Sequence, residues 1–195
     1  MRESTNHQAR RTPLYDQHVE AGAKLIEFSG WELPVRYSGV VEEHRAVRER
    51  LGLFDVSHMG EFRVAGPGAE SFLQGLTPND VSALQVGRIH YTGLLTERGT
   101  YLDDLLVYRL GNQEFMLVVN AANIEKNFAW LKAHSIEGVE LTDESNSFAL
   151  LALQGPRAQE VLAELTGCDL SQVRYYGFVR DEVAGVPALI SRTGY

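Results

Sequence analysis

The sequence predicts an α+β fold of mostly antiparallel sheet with packed helices. Two observations carry this. Candidate helices and strands are mixed along the chain, and consecutive strands are joined by short links, as antiparallel neighbours are. In addition, one strand–helix segment occurs twice. A doubly wound parallel sheet would instead alternate strand and helix throughout.

Composition bounds the rest. The chain has 195 residues, 44% hydrophobic and 23% charged, with a net charge of −8. That is enough apolar material for a real core. An acidic chain without a Lys/Arg cluster excludes nucleic acid and an anionic membrane surface as expected partners. A single cysteine, Cys168, leaves no internal disulfide and suits a reducing cytoplasm. No apolar stretch approaches the ~20 residues of a membrane span. Residues 1–11, "MRESTNHQARR", lack the apolar segment of a signal peptide and are expected to be disordered. Residues 12–195 are expected to form one core.

The elements follow in order. In "TPLYDQHVEAGA", Thr12 can cap a helix, Pro13 suits its first turn and Gly22 can end it. "KLIEF" (24–28) reads as a strand. "VVEEHRAVRERLG" reads as a helix with a solvated charged face, stopped by Gly52. "LFDVS" and "EFRVAG" read as strands. Then comes "GPGAESFLQGLT" from Gly66, which matches "GPRAQEVLAELT" from Gly155 without a gap at Gly, Pro, Ala, two Leu and Thr. Each copy follows an apolar strand, and its apolar residues recur at helical spacing. Gly permits the sharp turn out of the strand, and Pro is preorganised for a helix start. The pattern lacks the spaced glycines and Lys of a phosphate loop, so it reads as structural duplication. Between the copies, "IHYTGLL", "LDDLLVYRL" and "EFMLVVN" read as strands and "AANIEKNFAWLKAH" as a helix. "FVRDEVAGVPALISR" reads as a hairpin turning around Gly185 and Pro187.

The chemistry centres on "GTYLDDLLVY" (99–108), where two carboxylates sit inside an apolar run. Side chains alternate across a strand, so Asp104 shares a face with Leu102, Leu106 and Tyr108, and Asp103 with Tyr101, Leu105 and Val107. An unpartnered buried carboxylate is very costly. One reading makes both structural, held by hydrogen bonds. The other makes one of them a proton acceptor at the edge of an apolar pocket, and Asp104 is the better candidate. Tyr91 lies on the preceding strand and can stack on a flat ligand. Asn120 ends an apolar strand before a helix, where it can cap or can offer donor and acceptor to a heterocycle. The histidines and Cys168 lack metal-ligand spacing, and there is no nucleophile elbow or dinucleotide fingerprint. His58 reads as structural, and "RYYGF" (174–178) as packing or pocket wall.

Taken together, "TPLYDQHVEAGAKLIEFSGWELPVRYSGVVEEHRAVRERLGLFDVSHMG", "LDDLLVY", "VVNAANIEK", "ALQGPRAQEVL" and "SRTGY" resemble the aminomethyltransferases (T-proteins) of the glycine cleavage system, in order from Thr12 to Tyr195. The resemblance implies a folate-binding core with duplicated ferredoxin-like units. It implies transfer of a methylene carbon from an aminomethyl group on the lipoyl arm of H-protein to tetrahydrofolate, with release of ammonia, in the cytoplasm. It places the essential aspartate at Asp104, accepting a proton from folate nitrogen 10. The folate contacts fall at Tyr91, Tyr108, Asn120, Tyr195, Met59 and Val118. Family members run to roughly twice this length. The Glu-bearing stretch after "SRTGY", the later arginine segment and the final β domain are not in these 195 residues. A fragment, inactive alone, is therefore expected. Alternatives are a related folate-dependent demethylase domain, a non-enzymatic folate module of the iron–sulfur type, and a protein without a site. "LDDL" and the absence of a late reactive-Cys motif argue against the folate module.

Overall fold

In the computed structural model, which describes residues 9–194, strands and helices follow the predicted order with three additional strands. The described residues gather into two compact units. One runs through His58 and regains Ala149–Pro156; the other comprises Met59–Phe148 and the residues from Arg157 onward.

The first unit holds β1 (Arg10–Arg11), α1 (Tyr15–Glu20), β2 (Lys24–Phe28), β3 (Trp31–Arg36), α2 (Val40–Glu49), β4 (Gly52–Asp55) and β10 (Leu151–Gln154). β2 occupies the predicted span. β3 follows it through Ser29–Gly30, both with positive φ, and pairs antiparallel. Arg10 and Arg11 correct the expectation of a disordered 1–11, since they pair parallel with Trp31 and Glu32. The Arg10 guanidinium stacks 4.1 Å over Trp31, and Arg11 bonds Glu32 at 2.7 Å. Residues 1–8 lie outside the described residues. Thr12 does not cap α1, which starts three residues later. Gly22, at φ +72°, does end it as expected. Gly52 is not the stop of α2 but the first residue of β4. A polar chain that runs from a buried histidine to an exposed tyrosine ties the unit together. His18 Nε2 lies 2.9 Å from Asp55 Oδ2, and His18 Nδ1 lies 2.8 Å from the Tyr37 hydroxyl. Burial alone would raise the Asp55 carboxyl, but hydrogen bonds from Ser57 and His18 hold it below the ordinary carboxylate value.

The second unit is built on a five-stranded antiparallel sheet. Its strands are β5 (Gly60–Ala65), β6 (Ile89–Leu95), β7 (Tyr101–Gly111), β8 (Glu114–Val119) and β9 (Glu140–Asp143), in the order β6-β7-β8-β5-β9. One face packs on α3 (Ala69–Leu76) and α4 (Ile124–Ala133). Phe62, Val64, Leu94, Leu105, Val107, Phe115, Leu117 and Val119 supply the sheet side of that core, as period-two alternation requires. The duplicated turn recurs: α3 follows β5, and α5 (Ala158–Ala163) follows β10. In both copies the glycine carries a positive φ, +106° at Gly66 and +118° at Gly155. A Cβ at Gly66 would stand 2.3 Å from the Gly138 carbonyl, and one at Gly155 2.6 Å from that of Val47. Pro67 and Pro156 sit in the turn before each helix rather than at its first position. The chain closes with the hairpin β11 (Gly177–Val183) and β12 (Val186–Arg192), turning at Ala184–Gly185. Pro187 is inside β12, opposite Glu182, not in the turn. A satellite core of Leu170, Val173 and Ile190, with Cys168 packed against it, lies under this hairpin.

Candidate functional site

The register of the second sheet sorts the candidate residues into rows on the face opposite α3 and α4. Tyr91, Leu106, Val118 and Glu61 stand side by side across β6, β7, β8 and β5. On one side lies the row Ile89, Tyr108, Met116 and Arg63. On the other, Gly93 faces Asp104, and one further residue of the same register brings Asn120 and then Met59 alongside. Six of the seven predicted positions thus fall on three adjacent rows of one sheet face. The seventh, Tyr195, lies outside the described residues.

The adjacent carboxylates separate cleanly. Asp103 points to the helix side and is 8% exposed. It accepts from Asn120 Nδ2 at 2.9 Å, Asn123 Nδ2 at 2.8 Å and the Asn127 amide. Three amides from the start of α4 and its approach replace the water this carboxylate loses. Asp104 points to the opposite face and is half-buried. Its Oδ2 accepts from the Tyr91 hydroxyl at 2.7 Å, and its Oδ1 from Asn120 Nδ2 at 3.1 Å. Each oxygen retains a lone pair for a further donor, and both are aimed by fixed neighbours. Asn120 therefore touches both aspartates and links the core-side anchor to the exposed one. It does not cap the following turn through its side chain.

Two details depart from simple alternation. The register shifts between Leu94 and Leu95, so Asp103 pairs with Leu94 but Tyr101 with Leu95. Leu102 consequently packs against the helical core instead of sharing Asp104's face. Tyr101 swings over Gly93, where an added Cβ would meet its ring at 2.3 Å. Gly93 thus leaves the space opposite Asp104 to an aromatic ring that is 69% exposed.

The other candidates divide by accessibility. Tyr91 is 54% exposed, and its bond to Asp104 raises its hydroxyl above the ordinary tyrosine value. Tyr108 is buried beneath the hairpin, its ring 5.5 Å from Phe178 and its hydroxyl 3.2 Å from Ser191 Oγ. Burial pushes the Tyr108 hydroxyl up. Val118 is buried, and Met59 is half-buried at the end of β5. Two concavities of about 310 and 240 Å³ are lined by none of these residues. The Asp104 site is a shelf on the sheet rather than either cavity. Sequence reasoning passed over Glu61, which is buried on the same face; "GEFRVAG" reads as ordinary strand alternation. Among the described residues, no group of three or more His, Cys, Asp or Glu is placed to hold a metal ion. No helix among them is long and apolar enough to cross a membrane.

Residues 14–195 match the GCVT N-terminal domain. The chain belongs to this family. Among relatives of this GCVT domain, an aminomethyltransferase of Desulfitobacterium hafniense is 56% identical over 188 residues, covering 95% of this chain and 51% of its own length. One from Anoxybacillus flavithermus is 54% identical over 187 residues, with the same coverage. The glycine cleavage system aminomethyltransferase T of Bartonella henselae superposes with a TM-score of 0.86 at 38% identity, over 95% of this chain and 50% of that one. This GCVT domain therefore spans about half the length of the relatives it matches. A heterotetrameric sarcosine oxidase from Corynebacterium shares the fold alone, at TM-score 0.55 and 23% identity.

Proposed function

We propose that this chain carries the folate-facing half of an aminomethyltransferase site in the glycine cleavage system. The substrate is tetrahydrofolate, and the donor is an aminomethyl group on the lipoyl arm of H-protein. The methylene carbon forms bonds to folate nitrogens 5 and 10 while its bonds to the aminomethyl nitrogen and to the lipoyl sulfur break, and the two N–H protons the folate gives up end on ammonia and on the dihydrolipoyl thiol. The products are 5,10-methylenetetrahydrofolate and dihydrolipoyl H-protein.

The observation that carries this reading is Asp104. It stands on an open sheet face, oriented by Tyr91 at 2.7 Å and Asn120 at 3.1 Å, with unused acceptor capacity. A carboxylate so held can take the proton from folate nitrogen 10 as that nitrogen bonds to carbon. The apolar surface of Val118 and Leu106 and the ring of Tyr91 suit a flat heterocycle joined to an aromatic ring. Met59, Asn120 and Tyr108 border the same surface, and we assign Tyr195 to it as well. We place the reaction in the cytoplasm, where a thiol-bearing lipoyl partner stays reduced.

The experiment is ammonia release from aminomethyl-loaded H-protein with tetrahydrofolate, catalysed by a protein of the relatives' full length that carries these 195 residues. Asp104→Asn keeps shape but cannot accept the proton, and should lower turnover by about 10²–10⁴-fold with Tm unchanged. Turnover within threefold of the unaltered protein removes Asp104 from the reaction.

A further inference from the structure

Glu61 is a buried carboxyl that makes no side-chain hydrogen bond to any of the described residues, on the face that carries the candidate site. It is 3% exposed, in the middle of β5. Its backbone is fully engaged: the N–H donates to Ser145 Oγ at 3.0 Å, and the carbonyl accepts from Glu144 at 2.9 Å. Its side chain has neither a hydrogen-bond donor nor a cation among the described residues. The nearest guanidinium on the same strand, Arg63, is already paired with Glu114 at 2.9 Å. The charged and titratable groups around Glu61 are Asp143 on β9, Glu144 beyond it and Tyr108 on β7, and none of them compensates a negative charge. Burial and the Asp143 charge raise the carboxyl to about 7.

A fold gains nothing from such a group, since an apolar residue there would be more stable. A site does gain from it. Glu61 shares its row with Val118, Leu106 and Tyr91. Two strands and two residues separate it from Asp104, on the order of 12 Å. A fused heterocycle joined to an aromatic amine spans that distance. We propose that Glu61 is the second polar anchor of the Asp104 site, accepting an N–H edge of the heterocycle whose amine meets Asp104. The inference rests on the folate reading above and deepens it by naming the group that orients the far end of the ligand. Glu61 acts as a positioning residue, because it holds the ligand and does not touch the reacting carbon.

A donor brought to Glu61 favours its ionised form. Binding at pH 7 should therefore expel up to about half a proton from this carboxyl. The test is calorimetric titration of the protein with tetrahydrofolate at pH 7, in two buffers of different ionisation enthalpy. Glu61→Gln should weaken binding at least tenfold and abolish the buffer-dependent proton release, with Tm equal or higher. Glu61→Leu should weaken binding further and raise Tm more. Binding within twofold of the unaltered protein, or persistent proton release in Glu61→Gln, overturns the inference. Loss of binding in Asp104→Asn alone, with Glu61→Gln unaffected, overturns it while leaving the folate reading in place. No tetrahydrofolate binding by the unaltered protein at millimolar concentration overturns both.

Discussion

Asp103 and Asp104 differ by one position and by nearly everything else. Three amides hold Asp103 on the core side, whereas Asp104 keeps free acceptor sites on the open face. The amide cluster makes the Asp103 carboxylate a structural group. Asp103→Asn would set one amide against three, losing charge-assisted bonds worth about 1.5–3 kcal/mol each with partial compensation. We expect a loss of about 3 kcal/mol in urea unfolding, with Asn120 displaced and turnover reduced as a consequence. Glu61 supplies a pH signature. Its folded-state value of about 7 lies above its ordinary value of 4.5, so between these the folded protein binds the extra proton. Stability from this group is therefore full below pH 4.5 and lost as pH rises to 7, by on the order of 3 kcal/mol. Unfolding free energies at pH 5 and pH 8 should differ less in Glu61→Gln than in the unaltered protein by that amount. An equal pH dependence in the two would contradict the assignment.

At the scale of elements, most strands and helices are legible because their apolar period is unambiguous. β2 has the predicted bounds, and β5 through β8 fall where alternation places them. β3, β9 and β1 are not legible. β3 is interrupted by Pro34, β9 is "ELTD", and β1 is two arginines. Each is made a strand by a neighbour's hydrogen bonds, not by its own composition. The hairpin turns at Ala184–Gly185, so the expected Gly185 is in the turn and the expected Pro187 is not. Ala184 and Gly185 have φ of +51° and +79°. That is the left-handed pair of a two-residue hairpin, in which Asn-Gly is preferred. Ala184→Asn should therefore stabilise by about 0.5 kcal/mol, raising Tm by about 1–2 °C in a thermal melt. A fall in Tm would mean that the Ala184 methyl packs more than it strains.

Across the whole molecule, the proposed site depends on a sheet that packs on helices with one face and carries the candidate residues on the other. Phe62 and Phe115 are fully buried under α3 and α4, and they keep the strands in register for the rows above them. Phe115→Ala should cost about 3–5 kcal/mol, seen as a Tm drop of roughly 10 °C, and should weaken ligand binding through register rather than contact. An unchanged Tm would locate the core elsewhere. By itself the sequence determined the α+β class, the duplicated glycine-proline turn and the opposite orientations of Asp103 and Asp104, because alternation and turn chemistry are local. Only the tertiary structure decided that Asp103 is caged by α4, that a register shift sends Leu102 to the core and Tyr101 over Gly93, and that Glu61 is buried in the same row as Tyr91. Those facts arise from which strands lie side by side, and adjacency between residues dozens of positions apart is a property of the folded sheet, not of any local stretch of chain.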